Sequence, residues 1–120
     1  IISSLNLNYY KIGDDMLKVL SLCSNLKNLT TINLNYNNIS HRGIEYFSDC
    51  KFLKKLNSLI LYDNNLGDEG MKYFSKCDFL KNLTNLNIYN NNIGNKGMEF
   101  FSKCTFLKNL TSLNLYNNNI

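Results

Sequence analysis

Leucine or isoleucine stands at 29, 32, 34 and 39, and the same spacing returns at 56, 59, 61 and 66 and at 83, 86, 88 and 93. It returns again at 110, 113, 115 and 120, and the chain opens on it at 2, 5, 7 and 12. Every step is 27. Within each set apolar and polar residues alternate, as in Leu86-Asn87-Ile88, which predicts a short strand with one buried face. A turn follows, holding Asn37, Asn64, Asn91 or Asn118. Then Ile44, Phe47 and Cys50 recur as Met71, Phe74 and Cys77 and as Met98, Phe101 and Cys104. Steps of three mark the inward stripe of a short helix. One strand, one turn and one helix are therefore written once per period.

A fixed internal period of this length means stacked coils. Neighbouring strands lie about 4.8 Å apart, whereas neighbouring helices need about 8–10 Å. A stack with strands on one side and helices on the other must curve, with a parallel sheet inside and helices outside. The buried turn leaves backbone donors and acceptors to satisfy. An Asn amide offers both kinds of group, so Asn37, Asn64, Asn91 and Asn118 are expected to bridge coil to coil. Asp14, Asp68 and Asn95 are expected to cap the helices. Acids at the helix starts (Asp15, Glu69) and lysines behind the ends suit the helix dipole. Gly43, Gly70 and Gly97 are expected to let each helix approach the strand layer.

The unit L-x-x-L-x-L-x-x-N-x-I, followed by Gly, Phe, Cys and Leu, resembles the leucine-rich repeat family in its ribonuclease-inhibitor-like subclass. The resemblance covers the whole chain. It implies an α/β leucine-rich repeat solenoid, a right-handed β-α superhelix in an open horseshoe arc. The expected organisation is one domain over 1–120, with repeats 2–28, 29–55, 56–82 and 83–109 and a partial repeat 110–120. The third and fourth repeats match at 16 of 27 positions and read as a recent duplication. The first departs most, with Tyr10 at the Asn position, Met16 at the Gly position and Asn25 where later units have Phe. The chain has no initiator Met and stops inside a repeat, with no polar capping unit and with Ile1, Ile2 and the final strand as open edges. It reads as a slice of a longer array.

Hydrophobic residues make up 44% and charged residues 18%, a globular rather than a disordered balance. No apolar run is long enough to span a bilayer, and no signal peptide opens the chain. Net charge is +4 and comes from lysine, since Arg42 is the only arginine. With the basic residues on helices and loops, the strand face is a poor phosphate groove, so neither nucleic acid nor membrane is expected as a partner. The chain is read as a monomer.

Cys23, Cys50, Cys77 and Cys104 share the period. Adjacent helices stand too far apart for disulfides, which need Cα atoms within about 7 Å. A ladder of thiols diverges where zinc needs four converging ligands. Buried free thiols remain, which points to a reducing, intracellular and cytoplasmic setting. Four glycosylation sequons pull the other way, at Asn28, Asn38, Asn82 and Asn109, but three of them are one repeat position counted three times.

The outward strand positions are left for function. They include Asn33, Asn35, Tyr36, Ile60, Tyr62, Asp63, Asn87, Tyr89, Asn114 and Tyr116. This surface is almost uncharged and rich in Tyr, Asn and Ser, a mixture suited to protein recognition. Tyr62, Tyr89 and Tyr116 are expected to form one stripe. Drift of an AT-rich genome toward Tyr and Asn codons is the competing reading. Catalysis finds no constellation: His41 is the only histidine, and no Ser or Cys has a base partner. No metal and no cofactor are expected. The chain is read as a non-enzymatic protein-binding module. The resemblance leaves open a regulator of an enzyme, such as a GTPase activator, a ribonuclease inhibitor or a ubiquitin-ligase substrate receptor; a structural spacer is also open.

Overall fold

The computed structural model describes residues 2–120; Ile1, read above as part of an open edge, lies outside the described residues. Five strands, β1 (Ser4–Asn6), β2 (Thr31–Asn33), β3 (Ser58–Ile60), β4 (Asn85–Asn87) and β5 (Ser112–Asn114), form one parallel sheet in sequence order. Every pairing joins a residue to its counterpart one repeat on, as Leu5 to Ile32, Ile32 to Leu59, Leu59 to Leu86 and Leu86 to Leu113. Between strands run four helices, α1 (Asp14–Leu20), α2 (His41–Phe47), α3 (Gly67–Phe74) and α4 (Asn95–Phe101), packed side by side. The chain is an α/β solenoid of the expected leucine-rich repeat form, with the sheet on one face and helices on the other.

The helices have seven or eight residues, too few to stand alone in water. Packing holds them. The inward strand positions and the helix stripe meet in one core: Ile32, Leu59 and Leu86 are buried from the sheet, and Ile44, Phe47, Met71 and Phe74 from the helices. Phenylalanines link successive coils, with ring centroids 5.9 Å apart for Phe47 and Phe79 and 6.3 Å for Phe74 and Phe101. Each such side chain contributes about 1.5–3 kcal/mol on burial. The cysteines are unpaired, and three are buried. Burial pushes the Cys50 thiol up to about 12 and the Cys104 thiol up to about 11, and raises that of Cys77 as well.

Side-chain amides stitch the coils. Asn64 Nδ2 donates to the Leu34 carbonyl of the preceding coil (3.0 Å) and to Leu61 O of its own (2.8 Å). Its Oδ1 accepts from Asn37 N (3.1 Å) and Ile39 N (2.9 Å). Asn118 repeats the pattern with Ile88 O, Asn91 N and Ile93 N. Asn37 and Asn91 reach back likewise to Leu7 O and Leu61 O. Two further ladders run through the loops. Asn82 and Asn109 Nδ2 donate to Lys54 O and Lys81 O, both at 2.8 Å. Thr30, Thr84 and Thr111 Oγ1 donate to Ser3 O, Asn57 O and Thr84 O, each one repeat back. The recurring Asn-Leu-Thr sequons thus coincide with two structural ladders.

The aspartates expected as N-caps do something else. Asp14 and Asn95 are the first residues of their helices and Asp68 lies within α3; the caps are Gly13, Ser40, Leu66 and Gly94. The carboxylates serve the next coil. Asp68 Oδ1 accepts from Gly94 N (2.7 Å) and Gly97 N (2.8 Å), and Asp14 accepts from Ser40 N (2.7 Å) and Ser40 Oγ (2.6 Å). This explains the glycine at two of its three positions, Gly43 and Gly97; at Gly70 the preceding coil has His41 instead, and a Cβ there lies 2.9 Å from Leu66 Cβ. A Cβ on Gly97 lies 2.6 Å from Asp68 Oδ1 and 2.7 Å from Ile93 Cγ2, and one on Gly43 meets Asp14 and Ile39 equally closely. The closest atoms belong to the residue four positions earlier in the same coil (Ile39, Leu66, Ile93) and, at Gly43 and Gly97, also to the preceding coil's aspartate; none belongs to a strand.

Stacking in register also sets charges beside one another. One position near each helix start reads Asp15, Arg42, Glu69, Lys96 across the four coils, and three positions later the row reads Lys18, Glu45, Lys72, Glu99. Both rows alternate in sign, so each helix presents charges opposite to those of its neighbours. All eight residues are exposed, where charges interact weakly, but the two rows agree with the order in which the coils stack.

Candidate functional site

Strand positions that point away from the helices build the open sheet face. Asn33, Asn87 and Asn114 share one row. Each accepts the main-chain N–H two positions on, from Asn35 (3.2 Å), Tyr89 (3.1 Å) and Tyr116 (3.0 Å). Ile60 interrupts the row and has no acceptor to give Tyr62. Asn35 of the preceding coil supplies it, its Oδ1 accepting from Tyr62 N at 3.2 Å. Asn35, expected on the surface, is accordingly 1% exposed and has no area to present to a partner.

Beside this row the tyrosines run unbroken through all five coils. Tyr9 and Tyr36 stack with centroids 4.4 Å apart. Tyr36 meets Tyr62 edge-on at 5.5 Å, Tyr62 meets Tyr89 edge-on at 6.4 Å, and Tyr89 stacks with Tyr116 at 6.1 Å. The expected stripe of three is a ladder of five. It changes register on the way: Tyr9 and Tyr36 occupy the position after that of Tyr62, Tyr89 and Tyr116. Aromatic pairs at these separations are worth about 0.5–1.5 kcal/mol beyond their burial, so neighbouring rings hold one another upright and leave little rotamer entropy to lose on binding.

The position after the ladder explains the shift. Tyr9, Tyr36, Asp63, Asn90 and Asn117 all have positive φ, between 52° and 68°. Asn and Asp tolerate that conformation, whereas other side chains meet a cost of about 1–2 kcal/mol. In the last three coils this turn position therefore holds Asp63, Asn90 and Asn117, and the tyrosine moves one place earlier. In the first two the tyrosine itself accepts the strained backbone. Asp63 accepts from Asn90 Nδ2, and Asn117 Nδ2 donates to Asn90 Oδ1 at 3.0 Å, a polar row alongside the aromatic one. The Asp63 carboxylate also stands by the Tyr36 hydroxyl and, through that hydrogen bond first, pushes its pKa up. Tyr36 and Asp63 share the wall of a shallow cleft of about 380 Å³ with Lys11, Asn38 and Asn65.

His41 and Arg42 are exposed at the start of α2. Among the described residues no group of His, Cys, Asp or Glu gathers to hold a metal, and no helix is long and apolar enough to cross a membrane. What the sheet face offers is contact area, edge-on hydroxyls and amides.

The family model described as "Leucine Rich repeat" matches residues 25–48, 52–75 and 79–102. Among solved structures, an internalin from Listeria monocytogenes matches with a TM-score of 0.71 and 33% identity. The match covers 99% of this chain but 30% of the internalin chain. No curated protein matches.

Proposed function

The chain belongs to the leucine-rich repeat family, and from that premise we propose that its sheet face binds a protein partner through the tyrosine ladder. The single observation that carries this is the unbroken row Tyr9, Tyr36, Tyr62, Tyr89 and Tyr116, held ring to ring on a nearly uncharged surface. Codon drift accounts for a high tyrosine count but not for a register change that keeps the row continuous. Asn33, Asn87 and Asn114 flank it as adaptable hydrogen-bonding groups, with Ile60 and Asp63 alongside. A coil of this length with one helix per repeat supports a place in the ribonuclease-inhibitor-like subclass. The sheet face carries contact groups and no reacting constellation, which supports recognition over catalysis. Buried, unpaired thiols support an intracellular setting.

Affinity capture with the chain as bait tests the reading. The triple variant Tyr62→Ala/Tyr89→Ala/Tyr116→Ala is expected to lose the partner that the parent retains, while keeping its circular dichroism. Equal recovery by both would instead favour a spacer role.

A further inference from the structure

The net charge of +4 is concentrated on one edge of the solenoid. In each coil a loop leads from the helix back to the next strand, at residues 21–30, 48–57, 75–84 and 102–111. These loops hold eight of the twelve lysines and two acids, Asp49 and Asp78. They carry +6, and the rest of the chain carries −2. The helix charges alternate and offset one another from coil to coil; the loop charges do not. Lys27, Lys54, Lys81 and Lys108 hold the same place in successive loops, one per coil, and all four are exposed. The loops are not slack, because Asn82 and Asn109 tie Lys54 O and Lys81 O to the following coil. Lys54 stands between two adjoining shallow clefts of about 460 and 280 Å³, one reaching Phe52 and the other Phe79.

We propose that this loop edge is a second interaction surface, separate from the tyrosine ladder. Its occupant is an extended acidic segment of a protein, with carboxylates on the lysine row and apolar side chains in the clefts over Phe52 and Phe79. Spacing favours it. Coils are about 4.8 Å apart at the sheet and about 8–10 Å apart at the helices, and the loops join the two layers. Alternate residues of an extended segment are about 6.6 Å apart, so one carboxylate falls to each coil while the residues between face the opposite way or turn into a cleft. Lysine suits this use, being a mobile point charge on a long stem. A nucleic-acid strand needs open ring faces for stacking, and Phe79 is 5% exposed. A bilayer needs a row of apolar side chains that project into it; Leu22 projects from the first loop, but its counterparts are Asp49, Lys76 and Lys103, and Phe79 is buried.

The test is fluorescence anisotropy of a labelled synthetic peptide of alternating Glu and Leu against the full chain. Binding is expected, and it should weaken as salt rises from about 50 to about 300 mM because the charges are exposed. The pair Lys54→Glu/Lys81→Glu should weaken it about tenfold or more, and Lys54→Gln/Lys81→Gln by less, since each exposed pair is worth up to about 1 kcal/mol and reversal adds repulsion. Tyr89→Ala should leave it unchanged, which separates this surface from the ladder. Undiminished binding by the charge-reversed pair would overturn the proposal. So would tighter binding of single-stranded oligo-dT, or of vesicles rich in phosphatidylserine, than of the Glu-Leu peptide.

Discussion

Asn35 Oδ1 accepts the main-chain N–H of Tyr62, one coil away, at 3.2 Å. In the neighbouring coils that N–H is satisfied from within, by the Asn two positions earlier. Only the third coil has Ile60 there, and only there does a neighbour step in. A side chain in the middle of the candidate surface is thus consumed by the fold, and Tyr62 is fixed between two coils.

This coupling is measurable by a double-mutant cycle. Asn35→Ala leaves the Tyr62 N–H without its partner and should cost about 1–3 kcal/mol in urea unfolding. Ile60→Asn alone should be close to neutral. In the Asn35→Ala background, Ile60→Asn should recover most of the loss by restoring the within-coil acceptor. Strict additivity of the two changes would contradict the assignment.

The turn amide of Asn64 serves two backbone donors and two carbonyls across two coils. Asn64→Ala strands Asn37 N and Ile39 N and is expected to lower stability by about 3 kcal/mol or more. Its neighbour Asn65 is exposed, and Asn65→Ala should stay within about 0.5 kcal/mol. Matching urea midpoints for the two variants would remove the ladder as a stabilising device.

Asp68 and Gly97 are adjusted to each other. Asp68→Ala removes the acceptor for Gly94 N and Gly97 N and should cost about 1 kcal/mol, as loss of a helix cap does. Gly97→Ala drives a methyl against Asp68 Oδ1 and Ile93 Cγ2 and should cost about 1–3 kcal/mol by overpacking. The pair should be less destabilised than the sum, because one of the two clashes disappears with the carboxylate.

Folding keeps the Cys50 and Cys77 thiols protonated where the unfolded chain ionises them. Their stabilising contribution is full below the unfolded thiol pKa, about 8.5, and is lost as pH rises from there toward the raised folded values, at up to about 1.4 kcal/mol per pH unit for each thiol. Between about pH 8 and 9.5 the parent should therefore lose more stability than Cys50→Ala/Cys77→Ala. A thiol reagent at neutral pH should label Cys23, which is partly exposed, well before Cys50, Cys77 and Cys104, which are buried.

The repeat was legible because one backbone geometry rewrites the same apolar, Asn and Gly positions in every coil. Asn64 and Asn91 could be read as bridges for the same reason, since a buried turn has few ways to satisfy its amides. What stayed hidden depends on neighbours. Asp68 looks like a cap for its own helix until the adjacent coil brings Gly94 and Gly97 to its carboxylate. Asn35 looks exposed until Ile60, in the next coil, leaves Tyr62 short of an acceptor. Tyr9 and Tyr36 fell outside the expected stripe because position counting cannot follow a ring across a change of register. The signal available was the Asp-or-Asn preference at 63, 90 and 117, which marks a left-handed turn residue and displaces the tyrosine.

Photo-crosslinking tests the binding claim most directly. A benzophenone amino acid placed at 89, on the ladder, or at 72, on the helix face, is irradiated with the chain in lysate from its source. If the ladder binds the partner, one discrete protein adduct forms from position 89, lost when Tyr62 and Tyr116 are both alanine, and none of that mass forms from position 72. An adduct formed from 72 and not from 89 would contradict the claim.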